Sequence, residues 1–412
     1  MSPLPQDLNG ITAGAARALK EIARQHGYPS AEAYLDDLDV RDQRTRQALD
    51  EARDAPLTAV HQTDLGTMYH GNALTYMQAQ AEESHDLIMT SPPFGLVRKK
   101  EYGNAAATQY CDWFRPFAQE MHRILKDTGS LVIDIGGSWE KGLPTRSLYH
   151  FDLLIMLVRE YGFHLCLEHF WYNPSKLPSP AEWVTVRRVR PKDAVNCVWW
   201  LSKTPYPKAS NKRIVAPYSG SMEKLLANGY EGRRRPSGHD ISPGFSQRQQ
   251  GAIPSNLLAI ANTESNSAYS TYCRTHELPI HPARFPAKLP EYFIRMLTDP
   301  GDKVFDPFSG SFLTGRVCEE LGRYWAGTEL EADYIEGGRS RFLSDAPDII
   351  RPGINTYEVF APCSLGDTDD IPLPQDGGKK RQKKAISSPD DIPCPTPAPT
   401  ADSNAKEKEN GL

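Results

Sequence analysis

Residues 303–311 read Lys-Val-Phe-Asp-Pro-Phe-Ser-Gly-Ser, so a short apolar segment runs directly into a turn of small residues. The pattern predicts a strand at 303–305 and, from its helical spacing, a helix at 312–321. This order is typical of a nucleotide-binding unit, because Gly310 lets a ligand approach the backbone and the helix start offers free N–H groups. A plain strand–turn–helix junction is the alternative that the motif alone leaves open.

An acidic residue follows this unit at a spacing typical of nucleotide-binding folds. The next predicted strand, 324–327, leads to Glu329, which lies 19 positions after Gly310. A carboxylate in that place can accept hydrogen bonds from two ribose hydroxyls. The chain lacks a complete G-x-G-x-x-G signature here, so an NAD site is the weaker interpretation.

Strand and helix patterns alternate on both sides of this unit. We predict an α/β fold with a mostly parallel central sheet and helices on both faces. The predicted strands are 66–69, 86–89, 130–135, 164–172, 194–201, 303–305 and 324–327, and the predicted helices are 110–125, 151–161, 290–297, 312–321 and 332–343.

The chain divides into five predicted parts. These are an accessory helical segment (1–60), a first α/β half (61–203), a recognition region (204–275), a second α/β half with the glycine turn (276–350) and a disordered tail (351–412). The stretch from 204 to 280 is rich in Pro, Ser, Gly and Arg and is too long for a plain connection, so it is either an inserted recognition region or a disordered insert. The tail is rich in Pro, Asp, Ser and Lys, a composition that cannot bury a core.

Composition limits the classes of function. Hydrophobic residues make up 39% of the chain, but no apolar run approaches the ~20 residues that span a bilayer, and the N-terminus does not resemble a signal peptide. The seven cysteines are scattered without a Cys-x-x-Cys pair, so we expect neither a metal site nor disulfides, and we expect a cytoplasmic protein.

Positive charge is concentrated in one region of an acidic chain. The net charge is −5, yet residues 184–250 contain 13 Lys or Arg and four Asp or Glu, a local excess of +9 that includes Arg233, Arg234 and Arg235. Such a region can neutralise phosphates. A solvated loop is an equally good explanation of the charge alone.

The second informative stretch is Thr-Ser-Pro-Pro-Phe at residues 90–94, called the clamp below, which follows the strand predicted at 86–89. Two prolines fix the backbone and lack N–H groups, so the carbonyls are held stiffly and are available as acceptors. An aromatic amino group is a weak nucleophile because its lone pair is delocalised into the ring. If the Ser91 hydroxyl and the Pro92 carbonyl accept its two N–H bonds, the nitrogen can pyramidalise, while Phe94 stacks on a base that has left the duplex. Alone, the stretch would be a proline-rich turn with an anchoring aromatic residue.

With the clamp first and the glycine turn second, the chain resembles the β-class, circularly permuted family of S-adenosylmethionine-dependent DNA amino-methyltransferases. The segment His-Pro-Ala-Arg-Phe-Pro at 281–286 matches the family's lead into the first cofactor-side helix. Ser-Pro-Pro-Phe resembles the cytosine-N4 branch, rather than the Asp-Pro-Pro-Tyr adenine branch. The likeness covers about residues 64–345.

The resemblance implies specific roles for individual residues. It implies catalytic roles for Ser91, Pro92, Pro93 and Phe94, and contacts to S-adenosyl-L-methionine from Asn72, Thr90, Phe285, Pro286, Asp306, Phe308, Gly310, Ser311 and Glu329. It also implies double-stranded DNA as substrate and a cognate restriction endonuclease that shares the site without a stable complex. The local excess of positive charge predicts that Arg233, Arg234 and Arg235 bind this DNA. Asn72 replaces the family's usual acidic residue, and Phe312-Leu313 replaces its usual Gly-Thr.

Three alternatives remain open at this stage. The same clamp could methylate adenine at N6. A nucleic-acid-binding module would result if Phe312-Leu313 blocked the cofactor site. A cytosine-C5 methyltransferase is the least favoured, because its Pro-Cys nucleophile would have to be Cys363 or Cys394, which follow no apolar strand.

Overall fold

One nine-stranded sheet runs through the part of the chain that the structure, a computed structural model, describes: residues 13–25, 27–95, 107–229 and 247–350. Its strands are β1 (Leu57–Gln62), β2 (Gly66–Gly71), β3 (His85–Thr90), β4 (Leu125–Ile135), β5 (His164–Tyr172), β6 (Val195–Ser202), β7 (Leu257–Ala259), β8 (Lys303–Asp306) and β9 (Tyr324–Glu329). The helices are α1 (Ala13–Gln25), α2 (Ala31–Arg53), α3 (Ala73–Gln78), α4 (Tyr110–Ile124), α5 (Tyr149–Arg159), α6 (Gly220–Asn228), α7 (Ala268–Thr275), α8 (Lys288–Leu297), α9 (Leu313–Leu321) and α10 (Ala332–Arg339).

The strand order is β1-β2-β9-β8-β3-β4-β6-β5-β7. The five strands from β2 to β4 in this order are mutually parallel, whereas β1, β6 and β5 join by antiparallel pairing and β7 lies parallel to β5. The prediction of a mostly parallel sheet is therefore confirmed. Because the central strands share one direction, their C-terminal ends meet at one edge, called the carboxyl edge below.

Two apolar cores cover the two faces of the sheet, as predicted. On one face α3, α4 and α5 bury side chains such as Met77, Phe114 and Leu153. On the other face α8 and α9 bury Phe293 and Val317. Both faces of β3 are covered and every residue of His85–Thr90 is buried, which explains the uninterrupted apolar run Leu87–Met89 at its centre.

Several elements differ from the sequence prediction. Strand β1 was not predicted, because it is an edge strand in which no residue is buried and its alternation is weak. Strand β4 begins at Leu125 rather than at 130. Leu125 pairs with His85, and a register shift separates this pair from Leu87↔Ser130, so the polar residues 126–129 interrupt the apolar pattern of the strand. The stretch 204–275 was expected to lack regular structure, yet it contains α6, β7 and α7, which are too short to give a clear period.

Part of that stretch is anchored far from the carboxyl edge. Ile214 is buried in the second core, and the backbone N–H of Ser210 donates to the carbonyl of Met296. Lys208 forms an ion pair with Asp302, directly before β8. The boundaries of the predicted recognition region remain predictions, and the tail 351–412 lies outside the described residues. No helix in the described ranges is long and apolar enough to cross a membrane.

Candidate active site

A cavity of about 310 Å³ opens at the carboxyl edge, within the size range of small-molecule sites. The ends of β2, β3, β8 and β9 contribute to its wall. Ten of the predicted site residues line it: Asn72, Ser91, Pro92, Pro93, Phe94, Phe285, Phe308, Gly310, Ser311 and Glu329. The structure thus brings the clamp and the glycine turn together, although more than 200 residues separate them in the chain.

Three predicted residues lie outside this wall. Thr90 and Asp306 are buried behind it, and Pro286 lines a second cavity instead. Arg233, Arg234 and Arg235 lie outside the described residues, so their role in DNA binding remains a prediction.

Asp306 joins the clamp strand to the glycine turn. Its Oδ1 accepts hydrogen bonds from the Thr90 hydroxyl at 2.8 Å and from the Phe308 N–H at 3.1 Å, and its Oδ2 accepts from the Thr314 hydroxyl at 2.7 Å. Burial raises the pKa of Asp306 to about 6, while these three donors oppose the shift. Its observed contacts therefore shape the turn, rather than face the cavity.

Glu329 closes the opposite side of the turn. Its Oε2 accepts from the Gly310 N–H at 2.9 Å, and its Oε1 accepts from the N–H groups of Leu330 and Glu331 at 2.9 and 3.0 Å. Burial raises the pKa of this carboxyl, and the three N–H donors lower it. Each carboxylate oxygen offers about two acceptor sites, so Oε2 retains acceptor capacity toward the cavity. Gly310 has a φ of +52°, and a Cβ there would lie 2.9 Å from the His281 ring, so the turn requires glycine.

The bulky Phe312 is accommodated beneath the turn. It adopts a left-handed φ of +57° and is 1% exposed. A Cβ on Gly327 or on Gly338 would lie within 3.0 Å of its ring, so these two glycines create the space that the ring fills. Phe312 is not part of the cavity wall, whereas Leu313 is. The replacement of the family's small residue at this position therefore does not close the cavity.

Asn72 caps helix α3. Its side-chain oxygen accepts a hydrogen bond from the Leu74 N–H at 2.9 Å. Asn and Asp serve equally well as N-caps, which explains how Asn replaces the family's acidic residue without loss of local structure.

A buried polar chain supports the clamp. The Ser91 hydroxyl donates to Asp134 Oδ2 at 3.2 Å, and the Asn196 amide donates to Asp134 Oδ1 at 3.1 Å. Asp134 is 2% exposed, and desolvation raises its pKa to about 6, against the hydrogen bonds from Asn196 and Ser91. Because an ionised carboxylate only accepts hydrogen bonds, the Ser91 oxygen retains lone pairs that can accept from a ligand.

The rest of the clamp is held by aromatic neighbours. The Tyr110 hydroxyl donates to the Pro93 carbonyl at 2.8 Å. Among the described residues, no donor reaches the Pro92 carbonyl, so this acceptor is available to a ligand. A Cβ on Gly136 would lie 2.5 Å from the Phe94 ring, so glycine at this position lets Phe94 lie against the end of β4.

Several functional candidates were missed by the sequence analysis. Asp134 and Asn196 belong to neighbouring strands, and the only sequence signal is one carboxylate within an apolar run, Leu-Val-Ile-Asp-Ile at 131–135. Trp113 and Phe117 lie on α4, which was predicted as an ordinary amphipathic helix, yet they line the cavity beside Phe308, at ring distances of 5.8 and 5.1 Å from it. In the described ranges, no group of three His, Cys, Asp or Glu side chains could hold a metal ion.

Comparison with known proteins covers both the clamp and the glycine turn. A family model described as DNA methylase, with N6 and N4 amino-methyltransferase members, matches residues 85–339. The type II methyltransferase M.PvuII of Proteus hauseri is 50% identical over 286 residues, which are 69% of this chain and 85% of that protein. The solved structure of PvuII DNA methyltransferase, described as cytosine-N4-specific, superimposes with a TM-score of 0.57 at 42% identity and covers 74% of this chain and 95% of that chain. The DNA adenine methyltransferase YhdJ of Escherichia coli K12 is 26% identical over 283 residues, 67% of this chain and 82% of that protein.

Proposed function

This chain belongs to the N6/N4 DNA methylase family, and we propose that it transfers a methyl group from S-adenosylmethionine to the N4 amino group of cytosine in double-stranded DNA. The observation that carries the proposal is the Ser91 hydroxyl, which lies in the cavity wall and is oriented by the buried carboxylate of Asp134. The Ser-Pro-Pro-Phe form of the clamp favours cytosine, because it resembles the cytosine-N4 branch, whereas the adenine branch has an aspartate in place of Ser91.

The cavity wall fits S-adenosylmethionine. Glu329 retains an acceptor for the ribose, and the aromatic side chains of Phe308, Trp113 and Phe117 offer apolar surface to an adenine or a methionine chain. Asn72 and Phe285 would complete its contacts. The cofactor supplies, when bound, a methyl group on a positively charged sulfur.

The residues of the clamp prepare the amino group. The Ser91 oxygen and the Pro92 carbonyl are two acceptors in one wall, and together they can hold the two N–H bonds of an amine. This withdraws the nitrogen lone pair from the ring and directs it into the cavity. The negative charge of Asp134, relayed through the Ser91 hydroxyl, stabilises the positive charge that develops on the amine.

The base must leave the helix stack to enter this cavity. Phe94 provides a ring in the wall on which the extruded base can stack. Its packing against Gly136 fixes the ring at the end of β4, next to the strand that carries Asp134.

We further propose that the protein protects DNA from a cognate restriction endonuclease without forming a stable complex with it. The similarity to M.PvuII, a type II methyltransferase, supports this. We also propose a cytoplasmic location, where reducing conditions keep thiols free; the five cysteines in the described ranges are free thiols.

The proposed chemistry predicts an acid limb in the pH dependence of kcat. Since the pKa of Asp134 is raised to about 6, the carboxylate is the main form above pH 6 and is lost below it. A protonated Asp134 can donate to Ser91 and thereby reverse the polarity of that hydrogen bond, so kcat should fall as the pH decreases through about 6.

The variant Asn196→Leu tests whether the acid limb of kcat comes from the ionisation of Asp134. It removes a hydrogen bond that lowers the pKa of Asp134, so the limb should move to higher pH. The pKa of Asp306 is raised in the same way, but Asp306 accepts its hydrogen bonds from Thr90, Phe308 and Thr314. The Asn196→Leu substitution should therefore leave the pKa of Asp306 unchanged. A limb that stays in place in the variant would show that Asp134 does not control the reaction.

An assay of methyl transfer distinguishes the proposed enzyme from a non-catalytic nucleic-acid-binding module. Incubation with unmethylated bacterial DNA and S-adenosylmethionine labelled in its methyl group should transfer the label to DNA and not to RNA. A protein that binds DNA and the cofactor but transfers no label would instead be the non-catalytic module.

A further inference from the structure

Two loops at the carboxyl edge form a surface that the proposed chemistry does not use. Residues 137–148 follow β4, and residues 173–194 connect β5 to β6; together they are called the rim below. The pairs Ile135↔Cys197 and Tyr172↔Val195 place both loops at the same edge as the clamp. The rim therefore lies at the same edge of the sheet as Ser91.

The two loops are connected to each other by the side chain of Trp139. The guanidinium carbon of Arg190 lies 3.1 Å from the centre of the Trp139 ring, and that of Arg146 lies 4.7 Å from it. Arg146 also forms an ion pair with Asp193, and Arg190 donates to the Pro144 carbonyl at 3.2 Å. The rim is consequently one built surface, rather than two independent loops.

The rim carries positive charge on an acidic protein. It contains seven Lys or Arg and three Asp or Glu, an excess of +4, whereas the whole chain has a net charge of −5. Within the described part of the chain, Lys141, Lys176 and Arg188 form no ion pair. Unpaired cations at one edge of an acidic protein are suited to a polyanion.

The same surface exposes large apolar side chains. Leu177, Val186 and Val189 are 79%, 68% and 61% exposed, among the most exposed large hydrophobic residues of the described chain. Val186 ends a π-helical turn, Glu182–Val186, and Arg188 has a left-handed φ of +55°. Large apolar side chains exposed together on one surface are typical of an interaction site.

We propose that the rim binds duplex DNA next to the target base, with Lys176 and Arg188 contacting phosphates and Val186 and Val189 contacting the exposed edges of bases or sugars. Charge complementarity selects DNA as the occupant, because the excess of +4 on the rim matches the phosphates of a duplex. Apolar side chains beside Lys and Arg are suited to insertion at a base step. The inference rests on the proposed function, in which duplex DNA is the substrate.

The charged arm of the test removes two rim cations. Binding of a short fluorescent duplex of mixed sequence is measured by anisotropy over a range of NaCl concentrations, without the methyl donor. Lys176→Ala with Arg188→Ala should lower the slope of log affinity against log salt by up to ~1.8, about 0.9 for each lost phosphate contact. The control, Lys20→Ala with Arg159→Ala, removes two exposed cations outside the rim and should leave the slope unchanged.

The apolar arm changes no charge. Val186→Ser with Val189→Ser should weaken duplex binding roughly tenfold at an unchanged slope. Melting temperatures equal to that of the wild type establish that each variant is folded.

The slope of log affinity against log salt is measured without methyl transfer. A failure of the rim proposal can therefore be told apart from a failure of the proposed methyltransferase function. An unchanged slope and affinity in the folded rim variants overturns the rim proposal, even if the wild type methylates DNA. Loss of binding to anionic lipid vesicles, with duplex binding intact, would overturn it in favour of a membrane surface.

Discussion

Ser91→Ala is expected to lower kcat by roughly 10²–10³, the loss seen when one positioned hydrogen-bonding group is removed from a polar active site. The hydroxyl is the group through which the buried charge of Asp134 reaches the cavity. Without it the target amine loses an acceptor, and Asp134 loses a donor. Cofactor affinity should be nearly unchanged, because Glu329 and the glycine turn are built from other residues.

The matched control for this prediction is Ser84→Ala, the same substitution just before the other end of β3. Ser84 donates to the Ala81 carbonyl, far from the carboxyl edge, and its loss should leave kcat unchanged. Single-turnover rates and calorimetric cofactor binding provide both quantities. Wild-type turnover in Ser91→Ala would remove Ser91 from the mechanism.

Glu329→Ala should weaken S-adenosylmethionine binding by about 1.5–3 kcal/mol, which is roughly 10- to 150-fold in Kd. The carboxylate acts in two ways: it offers an acceptor to the ribose, and it holds the turn through the Gly310 N–H. The variant Glu329→Gln separates these two roles. The glutamine side chain has one oxygen that can still accept from the Gly310 N–H, but it cannot also accept from two ribose hydroxyls. The Kd of Glu329→Gln for S-adenosylmethionine should therefore lie between those of the wild type and Glu329→Ala.

Isothermal calorimetry measures this effect on folded protein. Glu336→Ala removes an exposed carboxylate on α10 that is paired with Arg339, and serves as the control with unchanged Kd. An unaltered Kd in Glu329→Ala would place the ribose elsewhere in the cavity.

Much of this architecture can be predicted from sequence because it depends on local patterns. The apolar run before Ser91 and the one before Asp306 are both buried parallel strands, and each ends in a polar turn. Parallel strands bring such turns to one edge, so the meeting of the clamp and the glycine turn follows from the pattern alone.

The remaining features depend on contacts between distant segments. Asp134 supports Ser91 only because β4 pairs with β3 in one register, with Thr90 opposite Ile133. Phe312 is tolerated only because glycines 327 and 338, on β9 and α10, make room for its ring. Thr90 and Asp306 were expected at the cofactor, but their side chains bond to each other behind the wall. No single segment carries a signal for these arrangements.

The central claim is tested most directly by identifying the methylated nucleoside. Unmethylated DNA is incubated with the protein and S-adenosylmethionine carrying a deuterated methyl group, digested to nucleosides and analysed by chromatography with mass spectrometry against standards. The account predicts labelled N4-methyldeoxycytidine, resolved from its C5 isomer and absent with Ser91→Ala. Labelled N6-methyldeoxyadenosine, or label on cytosine C5, would contradict it.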